Sequence, residues 1–350
     1  MQQLILPKKL SPGDKIAVIS PSWGGPGAYP YRYEMGKQRL ESIFGLEVIA
    51  MPHALKDPDF VYRNPKVRAE DLMQAFLDPT VKAIFSSIGG DDAVRLLPYI
   101  DFEIIRRNPK IVLGYSDSTV LHFICLKAGI ASFYGTAVMT GFAENGQMHN
   151  YTITAIKQSF FSSLQIGKIP EAHEGWTKEY LDWDRPSNQA IVRKLEPALK
   201  WEFIGCTKKI VQGRLLGGCV EVLQFLNATP IWPSLDIWNG SILFLETSEE
   251  GVAPLFLKRF LRNLAAQGIL AKIAGILFSK PGGSDILAPQ FKAYGNVILE
   301  VFDEYQLPQI TVVVNMDFGH SDPTWVMPYS CLAEINPVEG TVSLLEGMVV

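Results

Sequence analysis

Gly114-Tyr115-Ser116-Asp117-Ser118-Thr119 is where this sequence comes nearest to chemistry. The apolar run Ile111-Val112-Leu113 leads into it, and a helical pattern with apolar positions at Leu121, Ile124, Cys125 and Ala128, closed by Gly129, leads out. Strand, sharp turn and helix with a serine at the apex lift one hydroxyl above the carboxyl end of a parallel sheet. The same turn sets the next backbone N–H and a helix N-terminus where negative charge can be stabilised. The hydrolase elbow reads G-x-S-x-G, whereas the last position here is Ser118. Serines at helix N-termini also serve as caps, so nucleophile and cap stand as alternatives for Ser116.

A serine hydroxyl attacks at neutral pH only with a base in reach and a group that orients the base. Of the five histidines, His122 sits on the helix after the turn, directed away from its apex. His149 and His173 fall in polar loop sequence, where a solvated ring is expected, and His53 follows an early strand and competes for the role. His320, after a strand and beside Gly319 in a polar turn, is the best placed. Glu246 directly follows an apolar strand, where it either caps the next helix or faces a cleft, and it is the natural partner for an imidazole N–H. Glu249 and Glu250 read as solvent-facing or helix-start charges. The backbone N–H groups of Asp117 and Gly90 are reasonable donors to the oxyanion of a tetrahedral intermediate, although Gly89-Gly90 also reads as an ordinary turn.

These residues need a scaffold. Strand patterns at 15–20, 46–51, 81–86, 111–113 and 131–134 alternate with helical patterns at 31–44, 65–77, 121–128 and about 151–161, which gives an N-terminal doubly wound parallel-sheet α/β domain over residues 1–163. Ligands of such sheets bind at the carboxyl ends of the strands, where Gly89-Gly90 and Ser116 fall. The loop Pro21 to Gly27 has neither G-x-G-x-x-G nor G-K-[ST] and reads as a mobile rim of a site. Residues 164–206, rich in Pro, Trp and charge without a sustained period, form a linker and recognition loop. Its Trp176, Tyr180 and Trp183 offer planar surfaces to a ring-shaped ligand, or else pin the segment to its neighbours. Order resumes over 207–350 as a smaller mixed α/β C-terminal domain: a strand at 210–216, a helix opened by Gly217-Gly218, strands at 240–245, 273–278 and 309–314 with helices between, and short strands at 331–335 and 341–345. The serine would then lie in one domain and Glu246 and His320 in the other, with the site at the junction.

Composition excludes several classes. A formal net charge of −4 gives no basic footprint for a nucleic-acid polymer or an anionic membrane. No apolar run reaches the roughly 20 residues of a membrane span, and the start lacks a secretory pattern, so a cytoplasmic location is expected. The four cysteines, with no C-x-x-C, argue against a zinc site and a disulfide framework.

Ser11-Pro-Gly-Asp14 with Ile19-Ser-Pro-Ser22, Gly89-Gly90-Asp91-Asp92, Gly114 to Thr119, Gly213-Arg-Leu-Leu-Gly-Gly218, Phe244-Leu-Glu-Thr247 and Gly319-His320, in this order from about residue 10 to 335, resemble the LD-carboxypeptidase family of serine peptidases. The resemblance implies a Ser116-Glu246-His320 triad, an oxyanion hole at Gly90 and Asp117, no metal or other cofactor, and a homodimer. It places Asp91, Trp176, Trp183 and Thr247 on the substrate. Typical members release the terminal D-alanine of murein tetrapeptides. One branch, the microcin C self-immunity peptidases, cleaves the amide joining a peptidyl or aminoacyl group to a nucleotide, and the long insert carrying Trp176 and Trp183 resembles that branch. Cys219 stands where the family often has Asn, and Ser330 where it often has Gly.

Overall fold

The computed structural model describes residues 4–206 and 209–350. The domain boundary expected at 206/207 adjoins Thr207 and Lys208, which lie outside the described residues. In chain order the strands are β1 Lys15–Ile19, β2 Glu47–Ala50, β3 Val81–Ser86, β4 Ile111–Gly114, β5 Phe133–Tyr134, β6 Gly167–Lys168, β7 Glu202–Gly205, β8 Val211–Cys219, β9 Ile242–Glu246, β10 Gly275–Ser279, β11 Thr311–Met316, β12 Met327–Pro328, β13 Leu332–Asn336 and β14 Thr341–Leu344. They form a six-stranded sheet of order β12-β5-β4-β3-β1-β2 and an eight-stranded sheet of order β6-β14-β13-β8-β9-β10-β11-β7.

The first sheet is parallel from β2 to β5. Ala17 and Val18, Ile84 and Phe85, and Val112 and Leu113 are buried on both of its faces, as expected of a sheet covered by crossover helices. Its last strand comes from the other half of the chain: β12 lies antiparallel on β5, pairing Met327 with Tyr134 and Pro328 with Phe133. A proline is tolerated there because β12 is an edge strand. In the second sheet β8, β9, β10 and β11 are parallel and carry antiparallel strands at both margins.

Two expectations are corrected. Gly217 and Gly218 do not open a helix; β8 runs through both to Cys219, and the helix begins at Val220. A Cβ at Gly217 would collide with the carbonyl of Phe244 on β9, so the glycines permit close pairing of two strands. The 164–206 segment is not strand-free, since β6 and β7 pair with β14 and β11 at the margins of the second sheet. β7 is short and only half buried, which is why no alternation marks it in the sequence.

The sheets meet through an aromatic seam. Tyr329 packs on His122 with ring centroids 4.8 Å apart and on Phe244 at 5.2 Å, and Phe244 packs on Tyr134 at 5.5 Å. The carboxyl ends of β4 and β9 are thereby held together, Gly114 and Glu246 being their last residues. Among the described residues no helix is long and apolar enough to cross a membrane.

Candidate active site

A cleft of about 470 Å³ opens at this junction, lined among others by Gly89, Gly90, Tyr115, Ser116, Trp183, Glu249 and His320. Ser116 follows β4 and has φ +57°, a left-handed conformation that a non-glycine residue adopts only when its surroundings enforce it. The enforcement is visible. Ser116 N–H donates to Tyr134 Oη at 3.0 Å, and Thr119 Oγ1 donates to the Ser116 carbonyl at 2.7 Å. The His122 ring spans Gly114 O at 2.9 Å and Ser132 Oγ at 3.0 Å, so Nε2 carries the proton and Nδ1 accepts from the hydroxyl. Burial pushes His122 down to about 4 and keeps it neutral in this role.

Opposite the hydroxyl lie the two glycines. A Cβ on Gly89 would stand 2.9 Å from Ser116 Cβ and 3.0 Å from its Oγ, and one on Gly90 (φ +144°) would strike Ser22. Only hydrogen fits at either position, so the backbone after β3 approaches the serine directly. The Asp117 side chain is buried and accepts from Ala93 N–H at 2.8 Å, which ties the serine turn to the glycine loop. Burial raises the Asp117 carboxyl above its ordinary value against the hydrogen bonds from Ser22 and Ala93.

Glu246, fully buried at the end of β9, holds two groups. Its Oε1 accepts from Tyr134 Oη, and its Oε2 lies 2.6 Å from His320 Nδ1. Tyr134 therefore joins the serine backbone and the carboxylate through one hydroxyl. Sequence reading missed this residue; its position at the end of a strand beside β4 was the available signal. His320 and Ser116 face the same cleft, but no hydrogen bond joins them among the described residues. Nε2 of His320 instead lies 2.9 Å from Glu249 Oε2. Glu249 is exposed, as expected of a solvent-facing charge, but its carboxylate also reaches the imidazole, which the sequence did not indicate. Burial opposes charge on His320, but Glu246 and Glu249, one at each ring nitrogen, overcome it and raise its pKa well above the ordinary imidazole value. Contact with His320 holds the Glu249 carboxyl down at about 2.

The other histidines are elsewhere. His53 pairs with Asp71 at 2.8 Å and is outside the cleft lining. His173 is exposed, whereas His149 is half-buried near Glu144 rather than solvated.

Of the residues expected on the substrate, only Trp183 lines the cleft, beside Trp23, Tyr29 and Tyr180. The Arg32 guanidinium lies 4.2 Å from its ring centre and Tyr29 meets it edge-on at 5.7 Å. Trp176 is buried outside the cleft against Phe291, with ring centroids 5.5 Å apart, because the bridges Trp176↔Glu196 and Thr177↔Asp322 turn it inward. Thr247 is fully buried and accepts from Gly282 N–H at 3.1 Å, joining the loops after β9 and β10. Asp91 is exposed and outside the lining, while its neighbour Asp92 is anchored by Arg68 at 2.7 and 3.0 Å. The insert is fixed over the cleft by Arg193, which pairs with Glu144 and, at 2.5 Å, with Asp322 two residues beyond His320.

Comparison with known proteins agrees with this architecture. The profile of the LD-carboxypeptidase N-terminal domain matches residues 16–135 and that of the LD-carboxypeptidase C-terminal domain matches residues 212–335. The microcin C7 self-immunity protein MccF of Escherichia coli is 29% identical over 98% of this chain and 96% of its own. Its structure in complex with aspartyl sulfamoyl adenosine superposes with a TM-score of 0.82 at 26% identity, covering 99% of this chain and 100% of that one. An MccF-like protein from Streptococcus pneumoniae, solved in complex with AMP, gives a TM-score of 0.85 at 31% identity over 96% of this chain and 99% of that one. A Bacillus subtilis relative, named "Probable murein peptide carboxypeptidase", is 28% identical over 98% of this chain and 95% of its own.

Proposed function

This chain belongs to the LD-carboxypeptidase family of peptidases, and from that premise we propose that it hydrolyses the amide joining an aminoacyl or peptidyl group to a nucleotide, with Ser116, His320 and Glu246 as its triad. Ser116 Oγ attacks the carbonyl carbon and His320 Nε2 takes its proton. Glu246 fixes the tautomer that presents Nε2 and balances the imidazolium formed. The N–H groups of Gly90 and Asp117 receive the oxyanion, the imidazolium returns its proton to the leaving nitrogen, and water releases the acyl group by the same steps in reverse order.

The observation that carries the nucleotide reading is the aromatic wall. Trp23, Tyr29, Tyr180 and Trp183 line the same cleft as Ser116, with the Tyr29 and Tyr180 ring centroids 5.7 and 6.1 Å from that of Trp183, and such planar surfaces suit a base. Relatives whose structures hold AMP or aspartyl sulfamoyl adenosine support it further. We further propose a cytoplasmic homodimer in which each chain builds one active site from two domains, residues 1–163 with the nucleophile and residues 207–350 with Glu246 and His320, joined by the linker and recognition loop 164–206. The alternative, release of D-alanine from a murein tetrapeptide, is favoured by the Bacillus subtilis relative.

Purified protein given an aminoacyl sulfamoyl adenosine and, separately, a murein tetrapeptide distinguishes the two readings by which amide is broken. Ser116→Ala is expected to lower the rate by at least ~1,000-fold with an unchanged circular dichroism spectrum. Undiminished turnover in that variant ends the triad proposal, and release of D-alanine alone replaces the nucleotide reading with the murein one.

A further inference from the structure

Among the described residues, the charged side chains lining the cleft are all paired, and one of them is paired with a group that the reaction uses. Arg193 is paired with Glu144 and Asp322. The Lys178 ammonium donates to the carbonyls of Pro281, Gly283 and Ile286 at 3.1, 2.7 and 2.6 Å. Glu179 accepts from Lys194 N–H at 2.6 Å, and Arg32 donates to Met139 O and Asn145 Oδ1 while stacking on Trp183. Glu249 alone is satisfied by a group the reaction needs free, His320 Nε2. Its side chain is 77% exposed, so nothing packed around it holds the carboxylate there. The backbone beneath it is anchored, since Glu221 Oε1 accepts from both N–H and Oγ of Ser248 at 2.8 Å. The carboxylate can therefore swing within the cleft while its root stays fixed.

We propose that Glu249 selects substrates that carry a free ammonium group beside the scissile carbonyl, and that this cation, by taking the carboxylate, releases His320 Nε2 for Ser116. The inference rests on the amidase reading above. Covalent geometry supports the placement. An α-ammonium nitrogen is two bonds from the carbonyl carbon, about 2.5 Å away, so once that carbon is at Ser116 Oγ the cation lies inside the cleft that His320 and Glu249 also line. A charge-assisted bond between ammonium and carboxylate replaces the one between imidazolium and carboxylate, and the imidazolium, relieved of one of its two carboxylates, gives its Nε2 proton to solvent, which leaves the neutral ring that Ser116 needs. An N-acylated substrate lacks the cation and leaves Glu249 on His320.

The test uses L-alanyl sulfamoyl adenosine and its N-acetyl derivative as a matched pair, with kcat/KM measured for the wild type and Glu249→Gln. The wild type is expected to favour the free amine at least ~10-fold, the scale of one charge-assisted hydrogen bond. Glu249→Gln is expected to bring the two substrates within about twofold of each other, chiefly by losing activity on the free amine. The acid limb of the pH profile with the N-acetyl substrate should also move to lower pH in Glu249→Gln, because the groups facing His320 are Glu246 at Nδ1, Glu249 at Nε2, the Tyr115 ring and Asp322 nearby, and one of its two contacting carboxylates is gone. A wild type indifferent to acetylation, or a Gln variant that keeps the preference, overturns the role of Glu249 and leaves the amidase reading standing. Hydrolysis of neither compound overturns both.

Discussion

One hydroxyl, that of Tyr134, lies between the serine turn and the buried carboxylate. It accepts the Ser116 N–H and donates to Glu246, and neither partner has water to turn to when the hydroxyl is removed. Tyr134→Phe is therefore expected to lower kcat by roughly 10- to 100-fold with KM little changed, since the phenol touches the groups that act and not the cleft itself. Stability should fall by about 1–3 kcal/mol, the cost of leaving buried polar groups unpaired. Steady-state kinetics beside urea unfolding checks both, and a variant that changes KM alone would contradict a positioning role. Carboxylates at both nitrogens of His320 raise its pKa, so the charged ring is favoured in the resting protein and the neutral base forms only as pH rises through that raised value. Activity on substrates that do not displace Glu249 must then climb toward alkaline pH, while the ion pair's contribution to stability is lost over the same rise.

The 164–206 insert divides its aromatic residues between two tasks. Trp183 faces the cleft, and Trp176 is turned into the protein by bridges to Glu196 and from Thr177 to Asp322. Removing the first ring should weaken binding, and removing the second should loosen the insert. Trp183→Ala is expected to raise KM for a nucleotide amide roughly 10-fold or more, the usual worth of a stacked base, without lowering the midpoint of thermal unfolding. Trp176→Ala should cost about 3 kcal/mol of stability and change KM less. Equal effects of the two substitutions on KM would show that the division is wrong. The loop after β9 is built on the same plan: Ser248 and Thr247 fasten the backbone to Glu221 and Gly282, and the exposed Glu249 is left to move.

At the scale of the whole molecule, the two sheets are interlocked rather than merely adjacent. β12 is an edge strand of the first sheet although its chain neighbours belong to the second, and the seam of Tyr329, His122, Phe244 and Tyr134 runs between the sheets. Neither half can unfold without exposing the seam and breaking β12 away from β5. A single cooperative transition is expected in urea, with far-ultraviolet circular dichroism and tryptophan fluorescence giving coincident curves. Two separated transitions would mean that the halves are independent and that the cleft geometry is not fixed by their contact.

What the sequence determined by itself was whatever depends on near neighbours. The parallel strands of the first sheet, the serine turn, the glycines after β3 and the placement of Glu246 and His320 after strands all follow from local pattern, because burial period, turn chemistry and capping are written within about a dozen residues. The fate of each ring and charge in the long insert was not written there. Trp176 and Trp183 are equivalent in sequence, and only the pairing of Thr177 with Asp322, 145 positions later, turns one inward and leaves the other in the cleft. Glu249 looked like any solvated glutamate until the fold brought His320 to it. The tertiary structure decided these because contact between distant segments is a property of the packed sheets, and no periodicity along the chain encodes it.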